Sequence, residues 1–144
     1  MPSEKEADST SPSRTIRDEG EGGARHVLIV EDNALVSGAL RVLFEQTGRR
    51  VSVAGTVAEA VDAATADRPD LMLVDLTLPD GDGFTILERL RSAGHAPRVV
   101  VALTGHDEPA VVARCKGLGC ADVLLKPVAT RDLLRRAGEW LGDA

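Results

Sequence analysis

At 144 residues the chain has room for one domain of ordinary size, about 100–200 residues, and a short appendage; a second folded module is excluded. Its 43% apolar and 28% charged residues are those of a soluble globular protein, and with aromatics at only 2% the core must be built from Val, Leu, Ile and Ala, which suits buried parallel strands covered by helices. With a net charge of −6, neither the N-terminal tail nor the folded part offers the strongly basic face that phosphate-backbone binding needs, which argues against direct nucleic-acid contact.

Residues 1–24 (MPSEKEADSTSPSRTIRDEGEGGA) are rich in Ser, Glu, Gly and Pro, with Ile16 as the one large aliphatic residue after Met1. Such a segment cannot offset the entropy of ordering, so it is expected to be a disordered N-terminal tail ahead of a folded domain over 25–144. From His26 onward short apolar runs alternate with helical patterns. HVLIV (26–30) reads as a strand, NALVSGALRVLFEQTG (33–48) as a helix, RVSVAG (50–55) as a strand, TVAEAVDAATADRP (56–69) as a helix and DLMLVD (70–75) as a strand. After a loop come GFTILERLRSAG (83–94), RVVVALTG (98–105), EPAVVARCKGLG (108–119), ADVLLKP (121–127) and TRDLLRRAGEWLG (130–142), continuing the alternation through to a final helix. Five βα units predict an α/β fold, with one parallel sheet covered by helices on both faces.

Boundary residues agree with this parsing. Gly48, Gly94, Gly117 and Gly119 stand where helices should end, Pro69 and Pro97 precede strands, and Thr56 and Thr130 are expected as helix N-caps. On the last helix Leu133, Ala137 and Leu141 form a stripe at spacing four, Trp140 is expected to pack at its edge, and Arg131, Arg135 and Arg136 to form a solvated face. Cys115 and Cys120 have no metal-ligand spacing and are expected to be reduced structural thiols. No apolar run reaches the roughly 18 residues of a membrane span and no signal-peptide pattern opens the chain, so a cytoplasmic location is expected.

In open parallel sheets ligands bind outside the carboxyl ends of the strands, and the chemistry-bearing residues gather there. The first predicted strand ends in Glu31 and Asp32, the third in Asp75, the fourth in Thr104 and the fifth in Lys126 followed by Pro127. Three converging acids repel one another unless a cation sits among them, and hard oxygen ligands without His or Cys favour Mg²⁺. Lys126 and the Thr104 hydroxyl would complete a phosphoryl pocket, with Asp75 at its centre as nucleophile. The first βα turn, VEDNALVSG, lacks a glycine-rich loop, which argues against nucleotide binding. Taken singly, each residue also has an ordinary role: Asp32 starting a helix, Thr104 ending a strand, Lys126 in solvent. Their joint placement at four strand ends favours the functional reading.

The ordered set VLIVEDN, LMLVDLTLPDGDGF, VVALTG and ADVLLKP resembles the receiver family of two-component response regulators, over roughly residues 26–142. The resemblance implies a flavodoxin-like (βα)5 sheet of strand order 2-1-3-4-5 and phosphorylation of Asp75 from a sensor histidine kinase or histidine phosphotransfer protein. It also implies Mg²⁺ held by Asp32 and Asp75, with Glu31 acting through water and the backbone carbonyl of Thr77 as a further ligand. Lys126 would pair with the acceptor and then the phosphoryl group, Thr104 would bond a phosphoryl oxygen, and the Lys126–Pro127 peptide would be cis. Such a domain is not an enzyme acting on a separate substrate; it assists its own phosphorylation and dephosphorylation.

Two departures concern the switch. The strand-five position that carries an aromatic in the family is Val123, so the usual aromatic rotamer switch is missing, and Gly105 beside Thr104 should leave the pocket open and helix four looser. Thr77 and His106 occupy positions that tune phosphoryl lifetime in the family, His106 being more simply a solvated loop residue. No output segment follows Ala144, which favours a single-domain regulator that switches a partner-binding surface, with a phosphorylation-dependent dimer among its forms. The alternatives are a relay intermediate or phosphate sink, and a phosphate-independent binding module. A metal-dependent phosphatase would need an acid at Thr77.

Overall fold

The computed structural model describes residues 24–105 and 108–142. The chain runs β1 (His26–Val30), α1 (Ala34–Glu45), β2 (Arg50–Ala54), α2 (Val57–Ala66), β3 (Leu71–Asp75), β4 (Thr77–Leu78), β5 (Gly81–Asp82), α3 (Gly83–Ser92), β6 (Val99–Thr104), α4 (Pro109–Gly117), β7 (Asp122–Leu125) and α5 (Thr130–Leu141). The five longer strands form one parallel sheet in the order β2-β1-β3-β6-β7, which is 2-1-3-4-5 when those strands alone are counted. The expected tail lies outside the described residues except for Ala24, as do His106 and Ala144.

Strand side chains alternate between the two faces, so one run of aliphatics feeds two cores. Leu28, Val30, Met72, Val74, Val100 and Ala102 face α2 and α3, meeting Ala60, Ala64, Phe84, Ile86 and Leu90. Val27, Ile29, Leu71, Leu73, Val101 and Leu103 point the other way, onto Leu40 and Phe44 of α1 and Leu133, Ala137 and Leu141 of α5. Trp140 packs at the edge of this second core and is partly buried. Helix α4 contributes a single buried side chain, Cys115, and has no side-chain cap, so it is the most weakly anchored of the helices.

Four details differ from the sequence reading. The segment after β3, expected as a loop, contains the antiparallel ladder β4–β5, pairing Thr77 with Asp82 and Leu78 with Gly81. Thr130 is the first residue of α5 and not its cap, because Leu133 N–H bonds the Ala129 carbonyl, which makes Ala129 the N-cap. Gly117 ends α4 inside the helix; Gly119, at φ +91°, takes the left-handed position beyond it. Arg136, expected in solvent with Arg131 and Arg135, is half-buried and pairs with Asp122 at 2.6 Å.

At the opposite end of the sheet from the carboxyl ends, His26 is buried at 1% exposure. Its Nε2 shares a 2.8 Å hydrogen bond with Ser52 Oγ, while its Nδ1 stands 3.7 Å from Asp67 Oδ2 and makes no hydrogen bond. Burial lowers its pKa below the ordinary histidine value, against the pull of Asp67. The unfolded chain therefore binds a proton below about pH 6.5 that the folded chain resists, and stability rises with pH across that window. Urea midpoints are expected to fall between pH 7.5 and 5.5 in the wild type and to fall less in His26→Gln; an equal decline in both would remove His26 as the cause.

Candidate functional site

The site stands where β1, β3, β6 and β7 end, and the sheet register brings their last residues together. Asp75 lies opposite Leu103 on β6, and Thr104 opposite Leu125 on β7. The Lys126 N–H then donates to the Thr104 carbonyl at 2.8 Å, so the two residues leave the sheet side by side. The Lys126–Pro127 peptide is cis.

Carboxylate oxygens of Glu31, Asp32 and Asp75 all lie within 4.8 Å of one another. Glu31 and Asp75 are buried and Asp32 is exposed. Lys126 Nζ spans the two buried acids, 3.0 Å from Asp75 Oδ2 and 3.4 Å from Glu31 Oε1. Asp75 Oδ1 accepts the Thr77 N–H at 3.0 Å and Glu31 Oε2 accepts the Asn33 N–H at 3.1 Å. Burial, reinforced by the nearby Asp75 charge, holds the Glu31 carboxyl above its usual range despite the Asn33 and Lys126 donors. Burial works to lower the Lys126 ammonium, but its hydrogen bond and charge interaction with Asp75, joined by Glu31, outweigh it and raise its pKa. The lysine is thus a cation at any physiological pH, and its one ammonium is the counter-charge to Glu31 and Asp75 in a cluster of three carboxylates.

The sequence-predicted residues Glu31, Asp32, Asp75, Thr104 and Lys126 are therefore assembled at one sheet edge, with Thr77 exposed beside Asp75 and Thr104 buried at the end of β6. The residual negative charge, the all-oxygen donors and the solvent access through Asp32 fit a hard divalent cation such as Mg²⁺, which takes one or two carboxylates and keeps water or phosphate oxygens in its remaining positions.

Sequence reasoning passed over three residues that shape this site. Asn33 caps α1, its Oδ1 accepting from Leu35 N at 3.0 Å and Val36 N at 3.2 Å; an Asn immediately before an apolar helical pattern was the available signal. Asp80, on the β4–β5 turn, accepts the Val57 N–H at 2.7 Å and the Ala58 N–H at 3.3 Å, and the Val57 amide holds its carboxyl below the usual range. Gly83 lets the chain pass close by the acceptor: a Cβ there would lie 2.9 Å from the Asp75 carbonyl oxygen and 2.9 Å from Leu76 Cδ2. Two of the positions flagged for the switch are visible. Val123 pairs with Ala102 and packs against the first core, and a side chain at Gly105 would meet nothing within 4 Å.

The doubly wound parallel sheet of this order, with an acid cluster and a lysine at its carboxyl edge, is a flavodoxin-like fold with a candidate cation site at the strand ends. The response regulator receiver domain model matches residues 27–137, and the chain belongs to that family. It is 34% identical over 111 residues to the KDP operon transcriptional regulatory protein KdpE of Escherichia coli, covering 77% of this chain and 48% of that protein. The response regulator MprA of Mycobacterium avium is 37% identical over 112 residues, 76% of this chain and 48% of that protein. The chain thus spans about half the length of these curated relatives. Among solved structures, a CheY-like receiver domain protein from Methanospirillum hungatei aligns with TM-score 0.77 at 26% identity, over 83% of this chain and 95% of that one. The receiver domain of the sensor histidine kinase PA1611 from Pseudomonas aeruginosa, solved with a magnesium ion coordinated in its active-site cleft, aligns with TM-score 0.74 at 27% identity, over 84% of this chain and all of that one. This protein is accordingly the receiver domain of a two-component response regulator.

Proposed function

We propose that this domain accepts a phosphoryl group on Asp75 from a phosphohistidine of a sensor kinase or phosphotransfer protein, and thereby switches a surface that binds an output partner. The observation that carries this reading is the convergence of Glu31, Asp32 and Asp75 within 4.8 Å with Lys126 bridging the two buried acids. In the transfer, an Asp75 carboxylate oxygen forms the new bond to phosphorus while the phosphorus–nitrogen bond of the donor imidazole breaks, the electron pair going to the nitrogen. The two Asp75 oxygens are distinguished: Oδ2 is held by Lys126, and Oδ1 by the Thr77 amide.

Mg²⁺, held by Asp32 and Asp75 with Glu31 and the Thr77 carbonyl, would neutralise charge on the phosphoryl oxygens. Lys126 would supply a second cation to those oxygens, and Thr104, beside it across the β6–β7 pair, would donate its hydroxyl to one of them. Water acting on the same centre would return the acid, so the domain governs its own signal lifetime and is not an enzyme with a separate substrate. Among the described residues no helix is long and apolar enough to cross a membrane, which accords with a regulator working in the cytoplasm. The reading concerns the receiver unit, whatever further chain it is joined to.

A small phosphodonor such as acetyl phosphate is expected to add one phosphoryl group in the presence of Mg²⁺ and none after chelation. Labelling at the same rate with and without the metal would overturn the metal assignment. Failure by both a small donor and a histidine kinase would favour a phosphate-independent binding module.

A further inference from the structure

The loop that carries two of the three acids is short, and one residue ties both of its ends. Asn33 donates its peptide N–H to Glu31 Oε2 at 3.1 Å, and its side-chain Oδ1 accepts the Leu35 and Val36 amides at 3.0 and 3.2 Å. Asp32 lies between the residue that is held and the residue that holds it. Glu31 is further fixed from the opposite side, since its other oxygen faces the Lys126 ammonium at 3.4 Å. Its carboxylate is therefore oriented by two protein donors from two directions, one of them the peptide N–H of the residue whose side chain caps α1. The first amides of α1 have no acidic side chain in the first turn to steady them, so the Asn33 cap is the side chain that starts this helix.

We infer that Asn33 is a positioning residue for the cation site: by capping α1 and holding Glu31, it sets the carboxylate geometry of Glu31 and Asp32 before any ion arrives. The inference rests on the metal-binding reading above. Groups that orient metal ligands from behind typically account for about 10–100-fold in affinity, because misaimed carboxylates must be reordered when the ion binds. Asn33 touches neither the acceptor nor the ion in this account. Its effect is therefore on metal affinity, with the phosphoryl acceptor itself left intact.

The test is Mg²⁺ titration of the whole chain by calorimetry, with thermal unfolding of the same samples, for the wild type, Asn33→Ala and Asn33→Ser. Serine keeps a capping oxygen without adding charge. The expected result is a Kd about tenfold weaker in Asn33→Ala and close to wild type in Asn33→Ser. If Asn33→Ala unfolds at a lower temperature yet binds Mg²⁺ as tightly as the wild type, the cap is structural only and the inference fails. It fails too if Asn33→Ser is as weak as Asn33→Ala while keeping its thermal stability, since capping is then not what matters. A wild type that binds no Mg²⁺ would bring down the underlying metal reading, an outcome separable from both.

Discussion

Asp75→Asn is expected to abolish phosphoryl labelling while leaving the fold intact. The amide is nearly the size of the carboxylate, so the buried end of β3 keeps its packing, and Asn still offers an oxygen to the Thr77 N–H that now bonds Oδ1. What is lost is the anionic oxygen that attacks phosphorus, and no neighbour can replace it. Glu31 has one oxygen on the Asn33 amide and the other facing Lys126, so both of its oxygens are already engaged. Asp32 is exposed at the rim. The same substitution removes one negative charge from a cluster in which carboxylate oxygens sit within 4.8 Å, so thermal stability without metal should be equal to or above that of the wild type. A variant that still takes up phosphoryl groups, or one that unfolds at ordinary temperature, would contradict this account of β3.

Lys126→Ala is the second large effect, and its sign depends on conditions. The ammonium lies 3.0 Å from Asp75 and 3.4 Å from Glu31, both buried, so its removal strands two carboxylates at low exposure. Removing one partner of a fully buried pair costs about 3–5 kcal/mol; with the lysine side chain 35% exposed and water able to screen the site, a loss of about 1–2 kcal/mol at pH 7 is expected. The deficit should shrink as pH falls. The folded-state pKa of Glu31 is already raised and rises further without the lysine, so the folded state takes up a proton at a pH where the unfolded chain is still ionised, and stability lost at neutrality is regained on acidification towards about pH 4.3. Millimolar Mg²⁺ should recover part of the loss as well, by standing in for the missing positive charge. Urea unfolding at pH 5 and pH 7, with and without Mg²⁺, reads all three effects. A deficit independent of both pH and Mg²⁺ would mean that Lys126 acts through packing alone.

Much of this architecture was legible because the strands are brief aliphatic runs that end on polar residues. VLIV followed by Glu31 and Asp32, and LMLV followed by Asp75, mark both the buried strand and its polar end, and the order of the strands in a doubly wound sheet then brings those ends together. Features set by contacts between distant segments were not legible. Strands β4 and β5 have two residues each, too few for any periodicity, and the turn between them is steadied by Asp80 reaching amides of α2 that lie more than twenty positions earlier. Thr130 has the right chemistry for a cap, but the chain enters α5 one residue sooner, at Ala129. Arg136 looked like a member of a solvated arginine face until β7 placed Asp122 against it.

Helix α4 joins the two kinds of information. Val123 and Gly105 stand where the family resemblance led to an aromatic and a bulkier residue being expected, and in three dimensions α4 is held by buried Cys115 and partly buried Val111 together with arginine contacts to α3. Arg114 stacks over Phe84 at 4.1 Å and pairs with Glu88 at 3.5 Å, and Arg91 of α3 donates to the Gly117 carbonyl at 3.1 Å. Exposed ion pairs of this kind contribute little individually, so α4 is a lightly anchored helix.

The most direct test of the central claim is to locate the phosphoryl group. The wild-type chain is incubated with Mg²⁺ and acetyl phosphate, its intact mass is measured, and the adduct is mapped by peptide mass spectrometry under conditions that preserve acyl phosphates. The account predicts a single adduct on the peptide containing Asp75; an adduct on any other residue, or none from either acetyl phosphate or a phosphorylated histidine kinase, would contradict it.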